Sequence, residues 1–167
     1  FFPGSTFKIV TSAAALESGR ATLDQPVFEP TAQYTAPGTT KAITNFSGGP
    51  CGGNLTTILA ESCNTAFAKL AAEMLGPLVM VNQAEAAGFN QTIPFDLSGS
   101  AVSVFPKDYG KRLQAPTPQT PAGIYENTAK LAQTAIGQNE VQASPLMMAL
   151  VAAGVANDGV IPTPHVL

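Results

Sequence analysis

Charge is scarce in this sequence, and so are the residues that hold metals. Only 11% of its 167 residues are Asp, Glu, Lys or Arg, against about 25% in an average chain. The 8 basic and 11 acidic side chains leave a net charge of −3. No basic stripe and no aromatic–basic interleaving is present, which argues against nucleic acid as a partner. There is one histidine, His165, and no cluster of Cys and His, so neither a metal centre nor another cofactor is expected. Apolar runs stay short of the ~20 residues needed to span a bilayer. A signal-peptide pattern and an initiator Met are also missing. The chain starts abruptly at Phe1-Phe2-Pro3, just before a motif, as a piece of a longer protein would. Cysteines number two, Cys51 and Cys63, outside any C-x-x-C pair. From the residues alone they are either a disulfide, worth about 3 kcal/mol across such a loop in the chain-entropy model, or two buried thiols.

What is abundant is apolar surface, 45% of the residues, enough for one domain with a sizeable core. Within it the segment Pro3-Gly4-Ser5-Thr6-Phe7-Lys8 opens an apolar helix, Ile9-Val10-Thr11-Ser12-Ala13-Ala14-Ala15-Leu16. Residues at i and i+3 share a helix face, so Ser5 and Lys8 are neighbours. A lysine takes a serine proton only if its own pKa is lowered, and the apolar Phe7, Ile9 and Val10 beside Lys8 point to partial desolvation. The helix N-terminus favours an anion developing near Ser5. The plainer reading is that Ser5 caps the helix and Lys8 is solvated.

The first helix is expected from Ser5 to Ser18, with Gly19 as its stop. Arg20 to Asn54, rich in Pro, Gly, Thr and Gln, reads as a long excursion with one short hairpin around Val27-Phe28 and Ala42-Ile43. A helical block starts at Leu55. Ser62-Cys63-Asn64-Thr65 begins another, Ala66 to Leu75, stopped by Gly76-Pro77, and a further helix covers Leu78 to Ala87. Thr92 to Pro121 reads as irregular, Ile124 to Thr134 as a short helix, and Gly137-Gln138 as a turn. Ser144-Pro145 caps a helix that runs to Ala156, and Val160 onward is extended. Ser62 and Asn64 form a second candidate site. At a loop between helices both side chains can converge, Ser62 relaying a proton and Asn64 bonding Lys8 and a substrate amide. The alternative is again capping. Lys69 and Lys130 read as solvated, Met147 and Met148 as core, and His165 as structural.

Together these segments resemble the penicillin-binding proteins, the active-site serine transpeptidases of cell-wall synthesis, whose S-x-x-K and S-x-N-type motifs they match. The residues that carry the resemblance are Pro3 to Lys8 and Ser62-Cys63-Asn64-Thr65-Ala66-Phe67. Gly137-Gln138, Ala143 to Ala149 and Ala156-Asn157-Asp158-Gly159 add to it. The likeness is closest to class B, monofunctional members of the actinobacterial cell-division type, and it extends over nearly the whole chain. It implies a D,D-transpeptidase that cross-links peptidoglycan stem peptides through a Ser5 acyl-enzyme and is trapped by β-lactams. Lys8 would be the base, Ser62 the proton shuttle, and Asn64 would position Lys8 and substrate. It implies a location outside the cytoplasmic membrane, with contact to the membrane only through an N-terminal anchor beyond this chain. That location favours a Cys51–Cys63 disulfide.

The family's third motif, Lys-Thr-Gly or a variant, is absent and is expected beyond residue 167, on a strand that completes the oxyanion hole. The strands expected before Phe1 are missing too. The fold class expected is therefore mainly α: the helical portion of the serine transpeptidase/β-lactamase-like α/β fold, residues 1–167 of a domain truncated at both ends, with most of the central sheet absent and little or no turnover of its own. A serine β-lactamase is the less fitting alternative, since Glu126-Asn127 does not match the spacing of its deacylation base. A β-lactam sensor and a non-enzymatic helical interaction module are the others.

Overall fold

The computed structural model describes residues 1–96, 99 and 101–166. It is mainly α-helical. A 3-10 turn, Gly4–Phe7, runs directly into helix α1 (Lys8–Glu17), which ends at Ser18 and Gly19, the latter with φ +65°. Val10, Ala14 and Ala15 of α1 are buried, and their small size lets other helices approach closely.

The excursion from Arg20 to Asn54 holds four short strands: β1 (Phe28–Thr31), β2 (Gln33–Tyr34), β3 (Ile43–Thr44) and β4 (Cys51–Gly53). β2 pairs with β3, and β1 with β4, both antiparallel. The expected single hairpin joining Val27-Phe28 to Ala42-Ile43 is thereby corrected: Phe28 faces Gly53, and Ile43 faces Tyr34. Gly52 explains the outer pair. A Cβ there would lie 2.5 Å from the Phe28 carbonyl oxygen, so only glycine lets β4 run this close to β1.

Helix α2 (Leu55–Ala60) is capped by Asn54, whose Oδ1 accepts from Thr57 N at 3.0 Å. After a tight turn, α3 (Asn64–Lys69) passes into a π-helical turn, Leu70–Leu75, together covering the helix expected there. Gly76, at φ +76°, and Pro77 then begin α4 (Gly76–Ala86), so the pair expected to stop one helix also starts the next. Phe67, Leu70, Ala71, Met80 and Phe89 form the centre of the core, all fully buried.

Within the expected irregular stretch, β5 (Arg112–Gln114) pairs with β6 (Ile124–Tyr125), and Val104 bridges Gln142. Residues 97, 98 and 100 of that stretch lie outside the described residues. The helix expected over Ile124–Thr134 is shorter: α5 spans Thr128–Thr134. Thr128 Oγ1 accepts from Tyr125 N at 2.8 Å and donates to Tyr125 O at 2.9 Å, closing a turn that frees Ile124 and Tyr125 for pairing. Helix α6 (Pro145–Ala156) has the expected bounds, and Ser144 Oγ accepts from Met147 N at 3.1 Å. Beyond it no strand is formed among the described residues, and Leu167 lies outside them. Among the described residues no helix is long and apolar enough to cross a membrane.

Candidate active site around Lys8

Ser5 sits in the 3-10 turn and Lys8 at the first position of α1. In 3-10 winding the side chains at i and i+3 eclipse one another. Lys8 Nζ accordingly reaches Ser5 Oγ at 3.1 Å. Phe7, between them in sequence, points the other way. It is fully buried, with its ring 5.3 Å from both Phe89 and Phe105. That anchor orients the turn so that the serine and lysine face the opposite side. The capping alternative for Ser5 does not hold, because no side chain caps this turn. Its entry is fixed from behind instead. Gly4 N donates to Gly137 O at 3.0 Å, and Gly137, at φ +71°, packs so tightly that any Cβ there would overlap the Gly4 carbonyl oxygen.

Lys8 is fully buried, which corrects the solvated alternative. Its ammonium reaches four acceptors: Ser62 O at 2.7 Å, Asn64 Oδ1 at 2.7 Å, Ser62 Oγ at 3.0 Å and Ser5 Oγ at 3.1 Å. The Phe67 ring lies 5.7 Å from Nζ. All four acceptors are neutral, so no carboxylate among them offsets the desolvation of the charge. Burial pushes the Lys8 pKa down from 10.5 to about 8. At pH 7 roughly a tenth of the molecules then hold a neutral amine, against fewer than about one in a thousand for an ordinary lysine.

Ser62 and Asn64 lie in the turn between α2 and α3. Ser62 has φ +57°, a left-handed conformation that turns both its carbonyl and its hydroxyl onto Lys8. Asn64 opens α3, and the side chain of the preceding Cys63 does not cap that helix. Its Oδ1 faces Lys8, and its Nδ2 donates to Thr44 O at 3.0 Å. Between them Cys63 is disulfide-bonded to Cys51, with 5.5 Å between their Cα atoms. All four sequence candidates, Ser5, Lys8, Ser62 and Asn64, thus meet at one nitrogen.

The support behind this junction was not legible in the motifs. The Thr44 carbonyl and the buried Asn45 hold the start of α3, and Gly137 holds Gly4. Only Gly137 carried a sequence signal, as part of a turn. Other expectations divide. Lys69 is exposed and lies 3.9 Å from Glu73. Lys130 is half-buried, paired with Glu140 at 2.7 Å and 5.7 Å from the Tyr109 ring, which corrects its assignment to a solvated face. Met147 is core. His165 is exposed, its ring contact being Thr163 O at 3.4 Å.

Comparison with known proteins gives consistent matches. A family model described as the penicillin binding protein transpeptidase domain matches residues 1–167. Peptidoglycan D,D-transpeptidase PbpA of Mycobacterium tuberculosis is 33% identical over 172 residues, 99% of this chain and 30% of that protein. The imipenem acyl-enzyme complex of penicillin-binding protein A from the same organism superposes with a TM-score of 0.78 at 32% identity, over 99% of this chain and 34% of that one. The D,D-transpeptidase domain of a peptidoglycan glycosyltransferase from Eggerthella lenta gives 0.76 at 32% identity, over 99% and 39%. The chain spans about a third of the length of the relatives it matches.

Proposed function

The chain belongs to the penicillin-binding protein transpeptidase domain family, and from that premise we propose that it carries the nucleophile, base and proton relay of a peptidoglycan D,D-transpeptidase. The observation that carries the reading is the junction of Ser5, Ser62 and Asn64 on a fully buried lysine.

The donor inventory assigns the roles. A neutral amine has two N–H groups and one lone pair. Ser62 O and Asn64 Oδ1 can only accept, and they make the two 2.7 Å contacts, so they take the N–H groups. The lone pair is left for a hydroxyl, Ser5 or Ser62. Asn64 and the Ser62 carbonyl therefore aim the lysine, and the hydroxyls exchange protons with it. Ser5 Oγ attacks the penultimate D-Ala carbonyl of a stem peptide and gives its proton to Lys8. The tetrahedral intermediate collapses with cleavage of the C–N bond. The departing D-Ala amine takes a proton from Ser62, which recovers one from the Lys8 ammonium. An amine from a second stem then attacks the Ser5 ester, the protons run back, and the C–O bond breaks to leave the cross-link. A β-lactam acylates Ser5 likewise, but its amine stays tethered and blocks the second step.

Residues 1–167 are on this reading the helical portion of a larger domain. The remaining strands of the central sheet, a Lys-Thr-Gly-like strand closing the oxyanion hole and a membrane anchor belong to the rest of the parent protein, which works outside the cytoplasmic membrane. Turnover by residues 1–167 alone is therefore little or none. The test is covalent labelling of the parent protein by a fluorescent penicillin, with the labelled peptide identified. Labelling at Ser5 that disappears in Ser5→Ala is expected, and labelling that persists in that variant moves the nucleophile elsewhere. Cross-linking by residues 1–167 alone would remove the claim that they are insufficient.

A further inference from the structure

We infer that Asn45, a residue outside the four that meet Lys8, is a positioning residue for the acylation step; the inference rests on the transpeptidase reading above. Asn45 follows β3 and is 6% exposed. Both N–H groups and the oxygen of its amide are used. Nδ2 donates to Thr31 O at 2.8 Å and to Gly49 O at 2.9 Å. Oδ1 accepts from Thr65 N at 3.1 Å and is the nearest acceptor, at 3.1 Å, to Thr65 Oγ1, which also has Thr31 O at 3.3 Å and Cys51 O at 3.5 Å in reach. A flipped amide would set its NH2 against the Thr65 N–H and its oxygen against two carbonyls, so the network fixes one orientation.

What this orientation holds is the register of α3 against the ribbons. Thr44 O accepts from Asn64 Nδ2 and Asn45 Oδ1 from Thr65 N, so two consecutive ribbon residues grip two consecutive helix residues. The first of those helix residues ends 2.7 Å from Lys8 Nζ. Asn45 touches neither Lys8 nor Ser5. It acts through Thr65 on the position of Asn64, and through Asn64 on the direction in which the lysine lone pair points. Misplacing a reacting group by about 1 Å can lower a rate by up to about a hundredfold.

The test follows penicillin acylation in the complete parent protein, resolving the dissociation constant from the first-order acylation constant, with melting temperatures alongside. Asn45→Ala should slow acylation about tenfold or more while the dissociation constant stays within about threefold. Asn45→Asp keeps the acceptor for Thr65, loses both donors and buries a charge. It should melt below Asn45→Ala yet acylate faster. Acylation constants that simply follow melting temperature, or an Asn45→Ala constant equal to wild type, overturn the proposal. If Asn45→Ala does not fold, Asn45→Gln decides: it keeps the amide but displaces it by one methylene, so acylation slowed more than about threefold in its folded fraction supports the positioning role, and acylation within about threefold of wild type overturns it. Wild-type protein that takes no penicillin at Ser5 sinks the transpeptidase reading instead.

Discussion

Two walls meet at Lys8, and they are built differently. The Ser5 wall is mainly local: one 3-10 turn sets the serine over the lysine, the buried Phe7 ring ties the turn to the core, and one backbone bond, Gly4 N to Gly137 O, fixes its entry. The Ser62–Asn64 wall is long-range. A left-handed serine, a disulfide to Cys51 and hydrogen bonds to Thr44 and Asn45 add to the turn's own backbone bonds, Ser62 N to Leu59 O at 3.1 Å and Cys63 N to Ile58 O at 2.9 Å. The first wall depends on burial and the second on cross-links, so they should fail in different ways.

The largest effect is expected at the point both walls share. Lys8→Met should lower the rate of penicillin acylation by at least about a hundredfold, the usual scale for removing a general base. With Lys8 present, acylation should rise with pH through a midpoint near 8, where the buried amine loses its proton. Stability should report the same titration. The folded-state pKa is depressed, so between about 8 and 10.5 the unfolded chain holds the proton that the folded one has released. This group's contribution to stability therefore increases with pH across that window, by about 3 kcal/mol in total. Wild type minus Lys8→Met, measured by denaturant titration from pH 7 to 10.5, isolates it from every other titrating group. A difference that stays flat would show that Lys8 is not desolvated.

The next predictions break one wall at a time. Phe7→Ala removes a fully buried ring and should destabilise by about 3–5 kcal/mol, with loss of covalent labelling tracking loss of folded protein. Replacing both Cys51 and Cys63 by Ser should destabilise by about 3 kcal/mol. Here the folded molecules that remain should still be labelled, but slowly, because Ser5 and Lys8 keep their contact while Ser62 and Asn64 lose their register. If the folded fraction of the double variant acylates at the wild-type rate, the disulfide stabilises the fold without positioning the site.

The same division explains how much could be read in advance. Ser5 and Lys8 are three residues apart, and a helical period alone makes them neighbours. The bounds of α6 follow from Ser144-Pro145 and Asn157-Asp158-Gly159 for the same reason: caps act within one turn. The ribbons were misread because pairing there is decided by close approach. Phe28 and Ile43 do lie in strands, but Gly52 admits β4 beside β1, and no local pattern says so. The π-helical turn at Leu70–Leu75 left no mark in a pattern that reads equally well as α. Ser62 and Asn64 were legible as candidates through a motif, whereas Asn45, separated from Thr65 by twenty residues, was not.

The smallest effect is the most discriminating. Ser62 holds φ +57°, which costs a residue with a side chain about 1–2 kcal/mol and glycine little. Glycine in turn gives the unfolded chain more freedom, worth about 0.4–1 kcal/mol. The backbone terms therefore add about 0 to 1.6 kcal/mol of stability in Ser62→Gly, and the lost hydroxyl contact to Lys8 takes back about 0.5–1.5 kcal/mol, so the variant should stay close to wild type. It keeps the carbonyl that lies 2.7 Å from Lys8 and removes only the hydroxyl at 3.0 Å. On the proposed mechanism the lysine stays aimed at Ser5 while the proton's route to the leaving amine is cut. Acylation should slow in a protein that melts close to wild type, separating the long-range wall's chemical role from its structural one. If acylation is unchanged, the leaving amine takes its proton by another route, and the Ser62 side chain is dispensable to the reaction.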